Sequence, residues 1–591
     1  MYGGMIMKPR IGIRAIIDGR RGGIRESLED VCMEMAYKAK RIIESDCFYL
    51  DASSVECVIG NTTIGGFAEA SQVEEQFSKE NVVATLSVTS CWCYGTETMD
   101  TNPMTIKAIW GLNNPNRPGA VYLAAAMAAH AQKGIPAFAI YGEDVQNVDD
   151  QEVPNDVRAK IVQFAQCAIA VGQLRHRAYV NIGGVSMGIM GSYCDHHFFQ
   201  EYLGLRPEFV DMSEIMRRVQ LEIFDPEEYQ KALAWTKSNC IEGYDKNRVK
   251  KTPEELARDW EFSVKMTLII RDIIRGNPRL KALGWEEESC GHCGAFGGFQ
   301  GQRQWTDFMP NGDFAEAILN SSFDWNGKRQ PLIVATENDG LNGTAMYFAQ
   351  ALTGQPAVFA DVRTYWSPKS IERFTGWTPE GLAKDGFIHL INSGSAALDG
   401  IGVCENEQGE HCMKPWWKTT DDEHEKMLAL TQFCPADRDY FRGGGFSSRF
   451  ITNYEMPLTL IRVNIIDGIG PVIQIGEGYS CVVPEKVADT IWKLTDYTWP
   501  TTFFVPKLID KNGFRNVHSF MSQWGANHGA FVYGHIGKDL ITLASMLRIP
   551  VSLHNVDDES IYRPHSYSGF GTENLEAADY LASKHYGPLY K

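Results

Sequence analysis

Two periods of apolar residues alternate along the N-terminal part of the chain. Residues 10–17 (RIGIRAII) form a strand-like run, 27–45 (SLEDVCMEMAYKAKRIIES) carry apolar positions at helical spacing, and 55–60 (VECVIG) are a short apolar run closed by a turn. The same rhythm continues in VVATLSVTS, AVYLAAAMAAHAQK and IPAFAIYG, so residues up to about 170 read as one parallel-sheet domain built of strand–helix–strand units. A second set opens at AYVNIGGVSMG, passes through a charged, helix-rich stretch from Asp225 to Leu280, and resumes as strand, helix, strand in PLIVATEND, LNGTAMYFAQALTG and PAVFADV. From about residue 385 the texture turns β-rich: IIDGIG separates LTLIRVN from PVIQIGEG, SCVVP and TTFFVPKL are further strand-like runs, and KDLITLASMLR is a helix. The expected architecture is two α/β parallel-sheet domains, 1–173 and 174–355, followed by a β-rich domain over 356–591. No repeat of solenoid period interrupts it.

Composition agrees with folding throughout: of 591 residues, 44% are hydrophobic and 22% charged. The formal charge of −18, from 56 basic and 74 acidic residues, argues against nucleic acid or an anionic membrane as partner and favours a neutral small molecule. No apolar stretch approaches the roughly 20 residues that span a bilayer, and the opening residues lack a signal-peptide core, so a cytoplasmic location is expected. Fourteen scattered cysteines, many in apolar settings, read as reduced thiols. Two close pairs stand out: Cys91 with Cys93, and Cys290 with Cys293, whose two-residue gap suits half a zinc site or a redox pair but has no second CxxC to complete it.

Chemistry concentrates where two predicted strands end in acids, Glu337 after PLIVAT and Asp361 after PAVFA. Ligands of open α/β sheets bind beyond the carboxyl ends of strands, so the two carboxylates are expected to face one crevice and to share a cation. Asn338 and Asp339, by contrast, read as caps of the helix that follows. Two carboxylates and an imidazole suit an octahedral Mn²⁺ or Mg²⁺ better than zinc. The histidine is not decided by pattern: His528, His535, His196 and His197 all stand in suitable settings. RGGGFSSRF lacks the spacing and lysine of a phosphate loop, and GGVSMG fails the dinucleotide pattern. Trp92, Trp305, Trp499 and Trp524 lie beside polar, glycine-rich sequence, where an indole face can stack on a sugar ring, although the ordinary place of a tryptophan is the core.

The segments IDGRRGGIRESLED, SCWCYGTETMD, GGFQGQRQWTD, SSFDWNG, VATENDGLNG, VFADVRTYWSP, HLINSGSAALDG, YFRGGGFSSRF, YTWPTTFF, WGANHG, ITLASMLRIPV and HYGPLYK, in this order from about residue 8 to the C-terminus, closely resemble the L-fucose isomerase family. The resemblance implies Mn²⁺ held by Glu337, Asp361 and His528, with the two acids as the catalytic acid/base pair. It implies a C-terminal β-barrel, a homohexamer, and a pocket lined partly by a neighbouring subunit. It also implies sugar contacts from Arg20, Trp92, Gln300, Ser393, Tyr440, Trp499 and Asn527. The Cys290/Cys293 pair just before Gln300 departs from the family pattern.

The implied reaction interconverts an aldose and a ketose, L-fucose and L-fuculose and also D-arabinose and D-ribulose, through a cis-enediol. One carboxylate takes the carbon-bound proton and the other assists transfer while the cation polarises the sugar oxygens, so the working acid is expected to coordinate through one oxygen and keep the other free of metal. Two other classes compete: a glycoside hydrolase with paired acids, which needs no metal, and a noncatalytic sugar receptor, which needs no acid–acid–histidine set.

Overall fold

The computed structural model describes residues 7–193, 195–392 and 395–591. In the first domain β1 (Arg10–Ala15), β2 (Cys57–Ile59), β3 (Val82–Thr89), β4 (Ile106–Gly111) and β5 (Ala137–Ile140) form a wholly parallel sheet in the order β2-β1-β3-β4-β5. Its strands are near-continuous apolar runs because helices cover both faces. The amphipathic α1 (Glu29–Asp46) and α2 (Phe67–Lys79), with the more uniformly apolar α3 (Gly119–Gln132) and α4 (Asn155–Gly172), supply the cover.

The second sheet is also parallel, with β6 (Ala178–Ile182), β7 (Arg206–Val210), β8 (Gly294–Phe299) and β9 (Val334–Ala335) in the order β9-β8-β6-β7. The charged insertion between β7 and β8 is helical, as its pattern predicts. Its long helix, α5 (Pro253–Arg275), opens with Thr252 accepting from Glu255 N, a reciprocal capping box, and Pro253 where no N–H is needed. Next come α6 (Asp313–Asn320) and α7 (Gly340–Thr353). Residues 340–351 of α7 are all buried, because the helix is wedged between α4, β8 and the third domain. That position explains an apolar sequence with no polar stripe.

The third domain is a closed antiparallel barrel. β10 (Val358–Trp366), β11 (Phe387–Ile391), β12 (Pro457–Ile466), β13 (Gly470–Ser480), β14 (Thr501–Pro506) and β15 (His528–Tyr533) run in the order β12-β15-β10-β11-β14-β13, and β13 pairs back onto β12. Closure leaves no free edge among these six strands. The IIDGIG segment is the β12–β13 hairpin turn, with Gly468 at φ +78° and Gly470 at φ +101°. A short β16 (Val551–Leu553) joins β13 in parallel after α8 (Gly537–Leu547). Among the described residues no helix is long and apolar enough to cross a membrane.

Two expectations change here. The run SCVVP is no separate strand: β13 ends at Ser480 and the following residues form a connection. The strand–helix–strand unit around α7 does not lie in one sheet either. β9 belongs to the parallel sheet, whereas both edges of β10 are taken by antiparallel barrel partners, β11 and β15. Asp361 accordingly sits inside β10, not at a strand's carboxyl end.

Candidate active site

Glu337 and Asp361 therefore meet across a domain junction. Glu337 follows the two-residue β9 in a tight turn in which it and Asn338 both hold left-handed backbone, φ +57° and +55°. Such a conformation costs a residue with a Cβ about 1–2 kcal/mol. The surroundings enforce it. Thr336 Oγ1 donates to Glu316 Oε2 at 2.7 Å, and Asn338 Oδ1 accepts from Tyr179 Oη at 2.6 Å. Gly298 on β8 admits this turn: a Cβ there would lie 2.4 Å from both Asn338 Oδ1 and Tyr179 Oη.

Asp361 is placed by register. It is the direct cross-strand partner of His528, the first residue of β15, and the neighbouring Val362 N donates to Asn527 O at 2.7 Å. His528 Nε2 stands 3.3 Å from Glu337 Oε2 and 3.5 Å from Asp361 Oδ1, while Nδ1 lies 2.6 Å from Asp339 Oδ2. Asp339 does cap α7, accepting from Asn342 N at 3.0 Å, as the sequence suggests. Its other oxygen has a second task, since it also accepts from Arg462 Nη1 at 2.6 Å, with both side chains fully buried. A carboxylate on Nδ1 fixes the ring so that Nε2 faces the two acids. Gln302 completes the set by donating Nε2–H to Glu337 Oε1 at 2.6 Å.

The electrostatics follow from burial and from these partners. Burial raises Asp361, helped by the charge of Glu337 and opposed by His528 and Arg363, to about 6. Burial works against a charged His528, but the hydrogen bonds to Asp339 and Glu337 and the nearby carboxylates outweigh it and push the imidazole up to about 9. Burial also acts on Asp339, yet Arg462 and His528 hold it well below the usual carboxylate range. Glu316 is driven up to about 8, chiefly by burial, against the hydrogen bonds it accepts from Thr336 and Ser395.

Two hard oxygens and one imidazole nitrogen are the donor types of an octahedral divalent ion. Among the described residues no three His, Cys, Asp or Glu side chains are arranged to hold a cation as they stand, this trio included. Its 3.3 and 3.5 Å separations exceed by a few tenths the roughly 3.0 Å between neighbouring donors of an octahedron with bonds of about 2.1 Å. The residues fit such an ion.

The other singled-out residues divide by domain. Trp499 and Tyr440 face each other at 6.2 Å, and Arg363, two residues beyond Asp361, lies over the Trp499 ring at 5.8 Å. Of these, Arg363 acts on the charge of Asp361. Gln300 Oε1 is turned to Gly184 N, 3.0 Å, while Gln302 reaches Glu337. Asn527 is exposed, one residue before His528. Ser393 lies outside the described residues, although Asn392 Nδ2 reaches Thr336 Oγ1 at 3.5 Å. Arg20 pairs with Asp18 at 2.6 Å after β1, and Trp92, 37% exposed, follows the adjacent β3 beside the buried Cys91 and Cys93. No contact among the described residues ties Arg20 or Trp92 to the acid–histidine trio. Sequence reasoning missed Gln302, Arg462, Glu316 and the second role of Asp339. A polar residue two positions from Gln300 and an arginine in an apolar strand, LTLIRVN, were the available signals.

Known proteins agree with this assembly along the whole chain. Family models match in series: the first N-terminal domain of L-fucose isomerase over residues 8–176, the second over 177–354, and the C-terminal domain over 390–555. The L-fucose isomerase of Clostridium perfringens (strain 13 / Type A) is 56% identical over 591 residues, 99% of each chain. That of Streptococcus pneumoniae serotype 2 (strain D39 / NCTC 7466) is 56% identical over 589 residues, 99% of this chain and 100% of its own. Fold, site and matches together define an aldose–ketose isomerase. Within that class, the chain belongs to the L-fucose isomerase family.

Proposed function

We propose that the protein interconverts L-fucose and L-fuculose, and D-arabinose and D-ribulose, through a cis-enediol, with Mn²⁺ held by Glu337, Asp361 and His528. The observation that carries this reading is the convergence of two carboxylates from different domains on one imidazole nitrogen whose other nitrogen is locked by Asp339. The cation supplies Lewis acidity to the carbonyl and hydroxyl oxygens of the sugar. Glu337 and Asp361 divide the proton traffic between them, one at the C1–C2 carbons and one at O1 and O2. Glu337 is set up for two tasks at once: Oε2 faces His528, while Oε1 is oriented by Gln302, which supports coordination through a single oxygen. Asp361, raised to about 6 by burial, is close to the balance an acid/base group needs near neutral pH, and a nearby cation lowers it further toward the basic form.

Tyr440, Trp499 and Arg363 offer aromatic and cationic walls for the sugar. Arg20 and Trp92 sit together at the carboxyl ends of adjacent strands of the first domain, with Trp92 and Tyr94 exposed. In a homohexamer they would complete the pocket of a neighbouring copy, and the assembly would work in the cytoplasm. The test is a panel of aldoses incubated with the Mn²⁺-loaded protein and assayed for the matching ketose. L-fucose should be converted, chelation should abolish conversion, and Mn²⁺ should restore it. Glu337→Gln and Asp361→Asn variants that bind metal and isomerise at the wild-type rate would sink the assignment.

A further inference from the structure

The link between the first and second domains opens into a cleft of about 350 Å³ whose lining includes none of the acid–histidine trio. Its walls come from both domains: Lys8, Tyr49 and Asn81 on one side, Arg275, Cys293 and Tyr347 on the other. Residues 173–177, between α4 and β6, form its seam.

Three arginines line this cleft, Arg175, Arg177 and Arg275, and none has a carboxylate partner among the described residues. Arg175 lies over the Tyr590 ring at 5.8 Å, and Arg275 donates only to Pro331 O at 3.2 Å. Lys8 is already neutralised, by Asp51 at 2.6 Å, so it neither adds to nor cancels the excess. Gln173 Nε2, also at the wall, is a buried donor with no acceptor. Desolvation does most to lower Arg275, to about 9, and the cations Arg329, Arg177 and Arg271 add to it, although the residue as a whole is exposed to solvent.

An ordinary explanation accounts for part of this. Arg275 ends α5, and Arg175 and Arg177 follow the end of α4, so two helix C-termini, each equivalent to about half a negative charge, soften the repulsion. Three positive charges against about one negative still leave a surplus near two, in a chain whose net charge is −18. Guanidinium groups without carboxylate partners, lining a space larger than a single ion needs, call for a ligand rich in anionic oxygens. Guanidinium forks match phosphate oxygens in pairs.

We infer that this interdomain cleft is a binding site for a small phosphate-bearing anion, held by Arg175, Arg177 and Arg275 and clamping the first domain to the second.

The experiment uses the Mn²⁺-loaded protein, desalted, and titrates inorganic phosphate or a sugar phosphomonoester against chloride at equal ionic strength, read by calorimetry and by thermal melting. Saturable binding and a raised melting temperature with phosphate but not chloride are expected. Tighter binding of the monoester identifies an esterified ligand, and equal binding identifies free phosphate. Arg177→Met should weaken binding by about tenfold or more, leave isomerisation without phosphate unchanged, and raise the melting temperature in phosphate-free buffer by relieving repulsion. Should that variant not fold, Arg175→Met at the seam serves for the same titration. Chloride acting as well as phosphate, or phosphate binding equally to the variant, whose metal site is intact, would overturn the inference.

Discussion

Replacing Asp339 by Asn tests the geometry at its most leveraged point. The side chain keeps its shape and its ability to cap α7 through Asn342 N, but loses the charge that holds His528 Nδ1 at 2.6 Å and Arg462 Nη1 at 2.6 Å. Two effects of different size follow. Arg462 and Asp339 are both 0% exposed, and removing one partner of a buried ion pair costs about 3–5 kcal/mol because the other charge is left uncompensated. Losing the carboxylate behind a coordinating imidazole weakens metal binding by about 10–100-fold, or roughly 1.4–2.7 kcal/mol. Mn²⁺ titration followed by electron paramagnetic resonance measures the second effect, and denaturant unfolding of the metal-free protein measures the first. The double variant Asp339→Asn with Arg462→Met separates them: stability should return toward wild type, while Mn²⁺ affinity stays low. If Asp339→Asn bound Mn²⁺ within twofold of wild type, His528 would be held by packing against Phe359, 4.8 Å away, and the carboxylate's orienting role would be refuted.

Three further outcomes are expected. Glu316, raised to about 8 from 4.5, favours the neutral acid in the folded protein, so its contribution is full below about pH 4.5 and is lost as pH rises through about 8. Glu316→Gln keeps an acceptor for Thr336 and Ser395, and its melting temperature should fall less than that of wild type between pH 6 and 9; parallel curves would count against a neutral acid. Gly298→Ala places a Cβ 2.4 Å from Asn338 Oδ1, which should cost about 1–3 kcal/mol in unfolding measurements and lower kcat by displacing the Glu337 turn. Gln302→Leu removes the hydrogen bond on Glu337 Oε1 and should lower kcat by about tenfold or more at full metal occupancy; an unchanged kcat would make that contact incidental.

Much of the fold is legible because its signals are local. Strand-like and helical spacing, the helix-rich stretch from Asp225 to Leu280 and the IIDGIG turn each involve residues only a few positions apart, and the structure contains every one of them. Similarity of long segments pointed to Glu337, Asp361 and His528 together, where pattern alone left four histidines open. The three-dimensional arrangement of that trio is another matter. The run PLIVATEND, LNGTAMYFAQALTG, PAVFADV reads as one strand–helix–strand unit, and nothing local says that its second strand will leave the sheet for a barrel. Barrel closure is decided by pairing with β11 and β15, and only that pairing sets Asp361 opposite His528. Asp339 looks like a cap and is one, yet its partner His528 is 189 residues away, and a contact at that distance leaves no periodic trace. The sequence alone thus determined the elements, the charge and the kinds of donor. The packing of three domains around α7 decided which donors meet, because register and burial belong to the assembled chain and not to any segment of it.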